Sequence, residues 1–107
     1  MIEVFRYQTE GGDEPFTDWL QSLRDKQAQA KLRVRIRRLE AGNFGDCHPV
    51  GEGVQELREH LGAGYRVYFG RQGRLVVILL CGGSKKSQPE DIKAAKTYWK
   101  DWKRRQE

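Results

Sequence analysis

Two arginines and a tyrosine, Arg58, Arg66 and Tyr68, lie in two short segments that alternate apolar and polar residues. Side chains on a strand point alternately to its two faces. In Val54–Glu59, Leu57 belongs to a core, which sends Glu56 and Arg58 to the opposite face. In Tyr65–Gly70, the apolar set Tyr65, Val67 and Phe69 sends Arg66 and Tyr68 to the opposite face. If the two segments pair as a hairpin, Arg58, Arg66 and Tyr68 share one side of the sheet. Two guanidinium groups and a phenol placed there could grip and polarise a phosphate. A second reading stands beside it: Glu56 pairs with one arginine as a cross-strand ion pair of the kind common on sheet faces.

Gly82-Gly83-Ser84-Lys85-Lys86-Ser87-Gln88 follows directly on an apolar run. The glycines would let the backbone turn sharply and present N–H groups, Lys85 and Lys86 add charge, and a helix opens just beyond. The spacing of a P-loop is not met, so nucleotide-triphosphate chemistry is not indicated; a plain polar turn ahead of a capped helix is the simpler alternative. His60, beside the hairpin turn, could act as a general acid or base, or be merely solvated. Lys31, Arg35 and Arg38 fall on one outer stripe of a helix, and Lys93 and Lys96 on another helix. Such stripes could track an RNA backbone, meet an acidic partner, or simply face water. His48 and His60 are the only histidines and lie in no ligand spacing with Cys47 or Cys81, so neither a metal nor a cofactor is expected.

These groups need elements to hold them. Ile2 and Val4 mark a first strand. Pro15 opens a helix whose Phe16, Trp19, Leu20 and Leu23 recur at helical spacing. A second helix runs from about Lys26 to Ala41, with Ala28, Leu32, Ile36 and Leu39 facing inward, and pairs with the first as an antiparallel helical hairpin. Residues 42–53, rich in Gly and Pro, read as one irregular connection. Strands follow at Val54–Glu59, Tyr65–Gly70 and Leu75–Cys81. The last is apolar throughout and should be covered on both faces. Pro89-Glu90-Asp91 begins a final helix with Ile92, Ala95, Trp99 and Trp102 inward. The order β-α-α-β-β-β-α predicts an α+β fold with a small antiparallel sheet.

A chain of 107 residues suits one domain, residues 1–107. Its formal charge of +5 and pI near 9.4 suit a partner that is either phosphate-bearing or acidic. Cys81 ends an apolar run and reads as a buried, inert thiol. The amino-terminal residues lack a signal-peptide pattern and no run is long enough to span a bilayer, so no membrane partner is expected and the cytoplasm is the expected compartment.

Taken together, Gly53-Val54-Gln55-Glu56-Leu57-Arg58, Gly64-Tyr65-Arg66-Val67-Tyr68-Phe69, Leu79-Leu80-Cys81-Gly82-Gly83-Ser84-Lys85-Lys86-Ser87-Gln88 and Asp18-Trp19-Leu20 resemble the phage-derived killer-protein branch of the RelE/ParE toxins, near the HigB type. The resemblance implies a RelE-like fold and a type II toxin, encoded with an antitoxin that often carries a helix-turn-helix DNA-binding domain. RelE-like members cut mRNA on the ribosome without a metal. The matching catalytic positions are Arg58, Arg66 and Lys85, with Lys86 adjacent; on this reading the basic helix faces and the loop, with Lys31, Arg35, Arg38, Gln88, Lys93 and Lys96, would contact the RNA. Where some relatives carry a tyrosine shortly after the last strand, this chain offers Gln88 and Asp91, which leaves Tyr68, His60 and Asp91 open for proton transfer. Two alternatives are a ParE-like gyrase inhibitor on the same scaffold and a nucleic-acid-binding module without catalysis.

Overall fold

A computed structural model describes residues 1–107. The order of elements is β1 (Glu3–Arg6), α1 (Pro15–Ser22), α2 (Lys26–Glu40), β2 (Cys47–Gly51), β3 (Val54–Glu59), β4 (Tyr65–Gln72), β5 (Val76–Ser84), a single 3₁₀ turn (Lys85–Ser87) and α3 (Gln88–Arg105). The strands form one sheet in the order β1-β5-β4-β3-β2. The mixed α+β class agrees with the sequence pattern, and two details of the sheet differ from it.

The first difference is an added strand. Cys47–Gly51 pairs antiparallel with β3, inside the segment expected to be irregular. Its proline and glycine mask it, but a strand at the rim of a sheet tolerates Pro49 because one of its edges needs no partner. The second concerns β1, which pairs in parallel with β5 from Glu3↔Val76 to Arg6↔Leu79. The sheet is therefore mixed, not wholly antiparallel. Alternation alone reveals that a segment is a strand; it carries no information on the direction of its neighbour.

Both faces of the sheet are covered. On one, Phe16 and Leu20 of α1 and Leu32 and Leu39 of α2 pack on Leu57, Val67, Phe69, Val77 and Leu79. The buried Gln29 ties the two helices together, donating from Nε2 to the carbonyls of Leu20 at 3.0 Å and Leu23 at 2.9 Å. On the other face, Ala95 and Trp99 of α3 pack on Val54, Tyr68, Ile78, Leu80 and Cys81. The expected double coverage of β5 is thus present, and its residues from Val77 to Gly83 are buried.

A register shift between Tyr68 and Phe69 leaves Leu80 as an extra residue of β5, between the Tyr68↔Cys81 and Phe69↔Leu79 pairs. This bulge re-aims everything after it. Gly82 then lies beneath the Trp19 ring, and Gly83 beneath the Asp91 carboxylate, each too close to leave room for a Cβ. Gly82 and Gly83 were expected to make a sharp turn. They instead continue β5, and glycine is needed there for close approach. Trp99 makes the same demand of Gly70, where an added Cβ would sit 2.5 Å from the indole.

Burial accounts for the thiol of Cys81. Loss of hydration, helped by the Asp91 charge, pushes its pKa up to about 12, so almost none of it is thiolate near neutrality. Iodoacetamide at pH 8 should leave Cys81 unmodified in the folded protein and alkylate it after unfolding in urea. Peptide mass spectrometry would read this out, and rapid native labelling would contradict it.

Candidate active site

The hairpin of β3 and β4 places the expected residues as strand parity requires. Arg58 is directly opposite Arg66, and Glu56 directly opposite Tyr68, so all four share the face away from Leu57 and Val67. The loop between the strands closes through a hydrogen bond from the Gly64 N–H to the Leu61 carbonyl at 3.0 Å. Gly64 has a φ of 72°, a conformation glycine adopts without the Cβ penalty of other residues. Its carbonyl is thereby free to accept from Arg66 Nη1 at 2.9 Å. The Lys85 N–H reaches the Ala63 carbonyl at 3.4 Å, which brings the 3₁₀ turn against this loop.

Arg58, His60, Gly64, Tyr65, Arg66, Lys85 and Gln88 line one open cleft of about 410 Å³. Arg58, Arg66, Lys85 and His60 therefore converge. Lys86 points to solvent outside the lining, and Tyr68 lies beneath it, fully buried. Gln88, the first residue of α3, joins the cleft directly. Lys31, Arg35 and Arg38 line a neighbouring groove with Val34 and Glu59. Lys93 is exposed, and Lys96 sits 3.6 Å from Glu52; neither lines the cleft.

Arg35 corrects the expectation of an outer basic stripe. It is 8% exposed, and its Nη1 donates to the Arg58 carbonyl at 2.6 Å and to Glu59 Oε2 at 2.9 Å. Helical spacing placed it beside Lys31 and Arg38, but a long side chain can reach back over the sheet end and find acceptors there. Its work is to fasten α2 to the end of β3.

At the centre is Glu56, whose side chain has no exposure. Its Oε1 accepts from Arg58 Nε at 2.7 Å. Its Oε2 accepts from Tyr68 Oη at 2.9 Å and Gln88 Nε2 at 2.7 Å, and lies 3.5 Å from Arg66 Nε. The ion-pair reading of Glu56 is thus realised in the same place as the cationic cleft, and the two readings describe one arrangement. Strand parity could place Glu56 beside the arginines; the donor from α3, thirty-two residues away, could not be read from spacing.

The proton affinities follow. Burial would raise the Glu56 carboxyl, but the hydrogen bonds from Arg58, Gln88 and Tyr68 outweigh it and hold its pKa below the ordinary carboxylate value. Burial first, then the hydrogen bond to Glu56, drives the Tyr68 phenol far above its usual value. Asp91 is raised by burial, partly offset by a hydrogen bond from Ser87. A depressed folded-state pKa means that Glu56 stabilises the fold above its unfolded pKa of about 4.3, and that this contribution is lost as pH falls through the lower folded value. Urea melts should show stability falling between pH 5 and pH 3. Glu56→Gln should flatten that fall, and an unchanged slope would contradict the assignment.

His60 stands at the rim, its Nε2 2.6 Å from Asp46 Oδ2, while His48 Nε2 is 2.6 Å from Asp46 Oδ1. The hydrogen bonds of His60 and then His48 lower the Asp46 pKa. No sequence pattern marks Asp46. It belongs to the segment expected to be irregular, and only the pairing of β2 with β3 brings it to His60. No three His, Cys, Asp or Glu side chains are grouped so as to hold a metal ion. No helix is long and apolar enough to cross a membrane.

Arg66 completes the geometry. Its side chain is 9% exposed, its Nε has no hydrogen-bond partner, and Nη1 to Gly64 is its one protein hydrogen bond. A buried donor without an acceptor costs about 1–3 kcal/mol, more when charged. Nε faces the buried Glu56 carboxylate at 3.5 Å, whose charge offsets part of that cost, and Nη2 is left for an anion in the cleft. Arg58, by contrast, is fastened by Nε alone, leaving its terminal nitrogens free.

Residues 18–105 match a protein-family model described as "Phage derived protein Gp49-like (DUF891)". The match begins within α1 and takes in every residue of the cleft. An uncharacterized protein of Haemophilus influenzae is 52% identical to this chain over 81 residues, covering 76% of this chain and 82% of the relative. The cationic cleft, the buried carboxylate beneath it and the helices that hold them are thus the parts of a chain that belongs to the Gp49-like family of phage-derived proteins.

Proposed function

We propose that this protein is the toxin of a type II toxin–antitoxin pair, a metal-independent endoribonuclease that cuts mRNA on the ribosome in the cytoplasm. The observation that carries the reading is Arg66, a nearly buried guanidinium that lines a cleft with Arg58 and Lys85 and makes only one protein hydrogen bond. The association of Gp49-like proteins with toxins gives it a biological setting, and the RelE-like resemblance of the strand motifs gives it a chemistry.

In that chemistry the RNA 2′-oxygen attacks the adjacent phosphorus, and the bond from phosphorus to the 5′-oxygen breaks. The products are a 2′,3′-cyclic phosphate and a 5′-hydroxyl. Negative charge builds on the non-bridging oxygens, where Arg58, Arg66 and Lys85 can stabilise it. One proton must leave the 2′-hydroxyl and one must reach the 5′-oxygen. Tyr68 donates to Glu56 from beneath the cleft, and Asp91 is held against Gly83 and Ser87 outside it. His60, oriented by Asp46, is the proton-transfer group with access. Lys31 and Arg38 extend the basic surface for the RNA backbone, and a helix-turn-helix antitoxin silences the protein by blocking ribosome entry.

Primer extension on a translated reporter mRNA after induction of this chain tests the reading. Discrete cuts within translated codons are expected. A phosphorothioate at the scissile bond should show no rescue by a thiophilic metal. DNA damage without RNA cuts would overturn the nuclease in favour of gyrase inhibition.

A further inference from the structure

We propose that Glu56 is a positioning residue that holds Arg58 by a hydrogen bond at Nε and draws in the Nε edge of Arg66 by charge, so that the outer nitrogens of both meet a single phosphate. The identity of that phosphate, an RNA phosphodiester, rests on the ribonuclease reading above.

The need for such a residue follows from the pairing. Arg58 and Arg66 are directly opposite on neighbouring strands, where like charges repel and would splay apart. Glu56 lies between them, with Oε1 on Arg58 Nε at 2.7 Å and Oε2 3.5 Å from Arg66 Nε. A guanidinium presents its five N–H groups in one rigid plane, so fastening the inner edge also aims the outer edge. The carboxylate is itself fixed by Tyr68 at 2.9 Å and Gln88 at 2.7 Å. Strand β4 and the start of α3 therefore both set where the arginines point.

The same geometry excludes a proton-transfer role. A general base must come within hydrogen-bond reach of the proton that it takes. Glu56 has no exposed surface, and its oxygens are engaged by Arg58, Tyr68 and Gln88. It acts through the arginines and touches no substrate.

Glu56→Gln keeps the shape and removes the charge. Loss of aim should lower kcat on the order of a hundredfold, the scale of losing one preorganised donor. Binding of a non-cleavable RNA, 2′-deoxy at the scissile position, should stay within about threefold of wild type or tighten. Neutralising a carboxylate beside two arginines does not weaken ground-state attraction, and a kcat loss without a binding loss marks an effect confined to the transition state. The pH–rate profile should keep its shape. Tyr68→Phe removes one of the carboxylate's supports and should give a smaller loss, about tenfold in kcat, should Glu56→Gln prove too unstable to assay. Undiminished kcat in folded variants would overturn the proposal, as would loss of the acidic limb of the profile, which would make Glu56 a proton acceptor. If the wild-type protein cleaves no RNA, the ribonuclease reading falls by itself. The Nε–H NMR signal of Arg58 then decides: slow exchange in wild type that is lost in Glu56→Gln supports positioning, and an unchanged signal refutes it.

Discussion

Arg66→Ala is expected to slow RNA cleavage by about two to three orders of magnitude and to abolish growth arrest, while the protein stays folded. The expected loss is large because Arg66 brings nearly buried charge to the cleft and its outer Nη2 is used by no protein group. The fold should survive because Glu56 retains hydrogen bonds from Arg58, Tyr68 and Gln88. Circular dichroism and a cleavage assay on the same preparation would test both halves, and full toxicity in a folded variant would remove Arg66 from the site. The variant also reports on silencing. An antitoxin that blocks ribosome entry from outside should bind Arg66→Ala almost as tightly as wild type. One that inserts an acidic group into the cleft should lose about 2–5 kcal/mol. Calorimetric titration with the purified antitoxin separates the two.

The largest effect on stability is expected from Trp99→Ala, at about 3–5 kcal/mol out of a typical total of about 5–15 kcal/mol. Trp99 is 4% exposed, stacks on Trp102 with ring centroids 5.2 Å apart, and rests on the backbone of Gly53 and Gly70. Those two positions lack side chains where the indole lies, so its removal leaves a void that nothing nearby can fill. Urea unfolding should show the midpoint falling with little change in slope. Gly70→Ala alone should also destabilise, by about 1–3 kcal/mol through overpacking. In the Trp99→Ala background that cost should largely disappear. A double-mutant cycle measures this coupling, and additive effects would show that the indole and Gly70 do not share the space.

Much of this arrangement can be read from strand parity and helix periodicity. Leu57 against Arg58, and Val67 against Arg66, assign faces without further information, and Ala95 and Trp99 mark the inner side of α3. What escapes is set by long-range geometry. Pro49 hides an edge strand, and the parallel partner of β1 lies far along the chain. The Leu80 bulge turns Gly82 and Gly83 from an expected turn into floors for Trp19 and Asp91. Arg35 looks solvated by spacing because spacing ignores how far its side chain can reach. At the cleft, local pattern supplies Arg58, Arg66 and His60, while Gln88 on Glu56 and Asp46 on His60 depend on which elements meet.

The pairing of Glu3 with Val76 also bears on the order of events during synthesis. Contacts between residues so distant in sequence form late, because the intervening chain must first be closed into a loop. A nascent chain that has emerged only as far as Arg66 lacks β5, the partner of both β1 and β4, and has no Lys85 or Gln88 to complete the cleft. Domains take shape from the amino terminus onward as they are made, but here the first strand must wait for the last. The cleft is therefore incomplete until β5 and the start of α3 have left the exit tunnel.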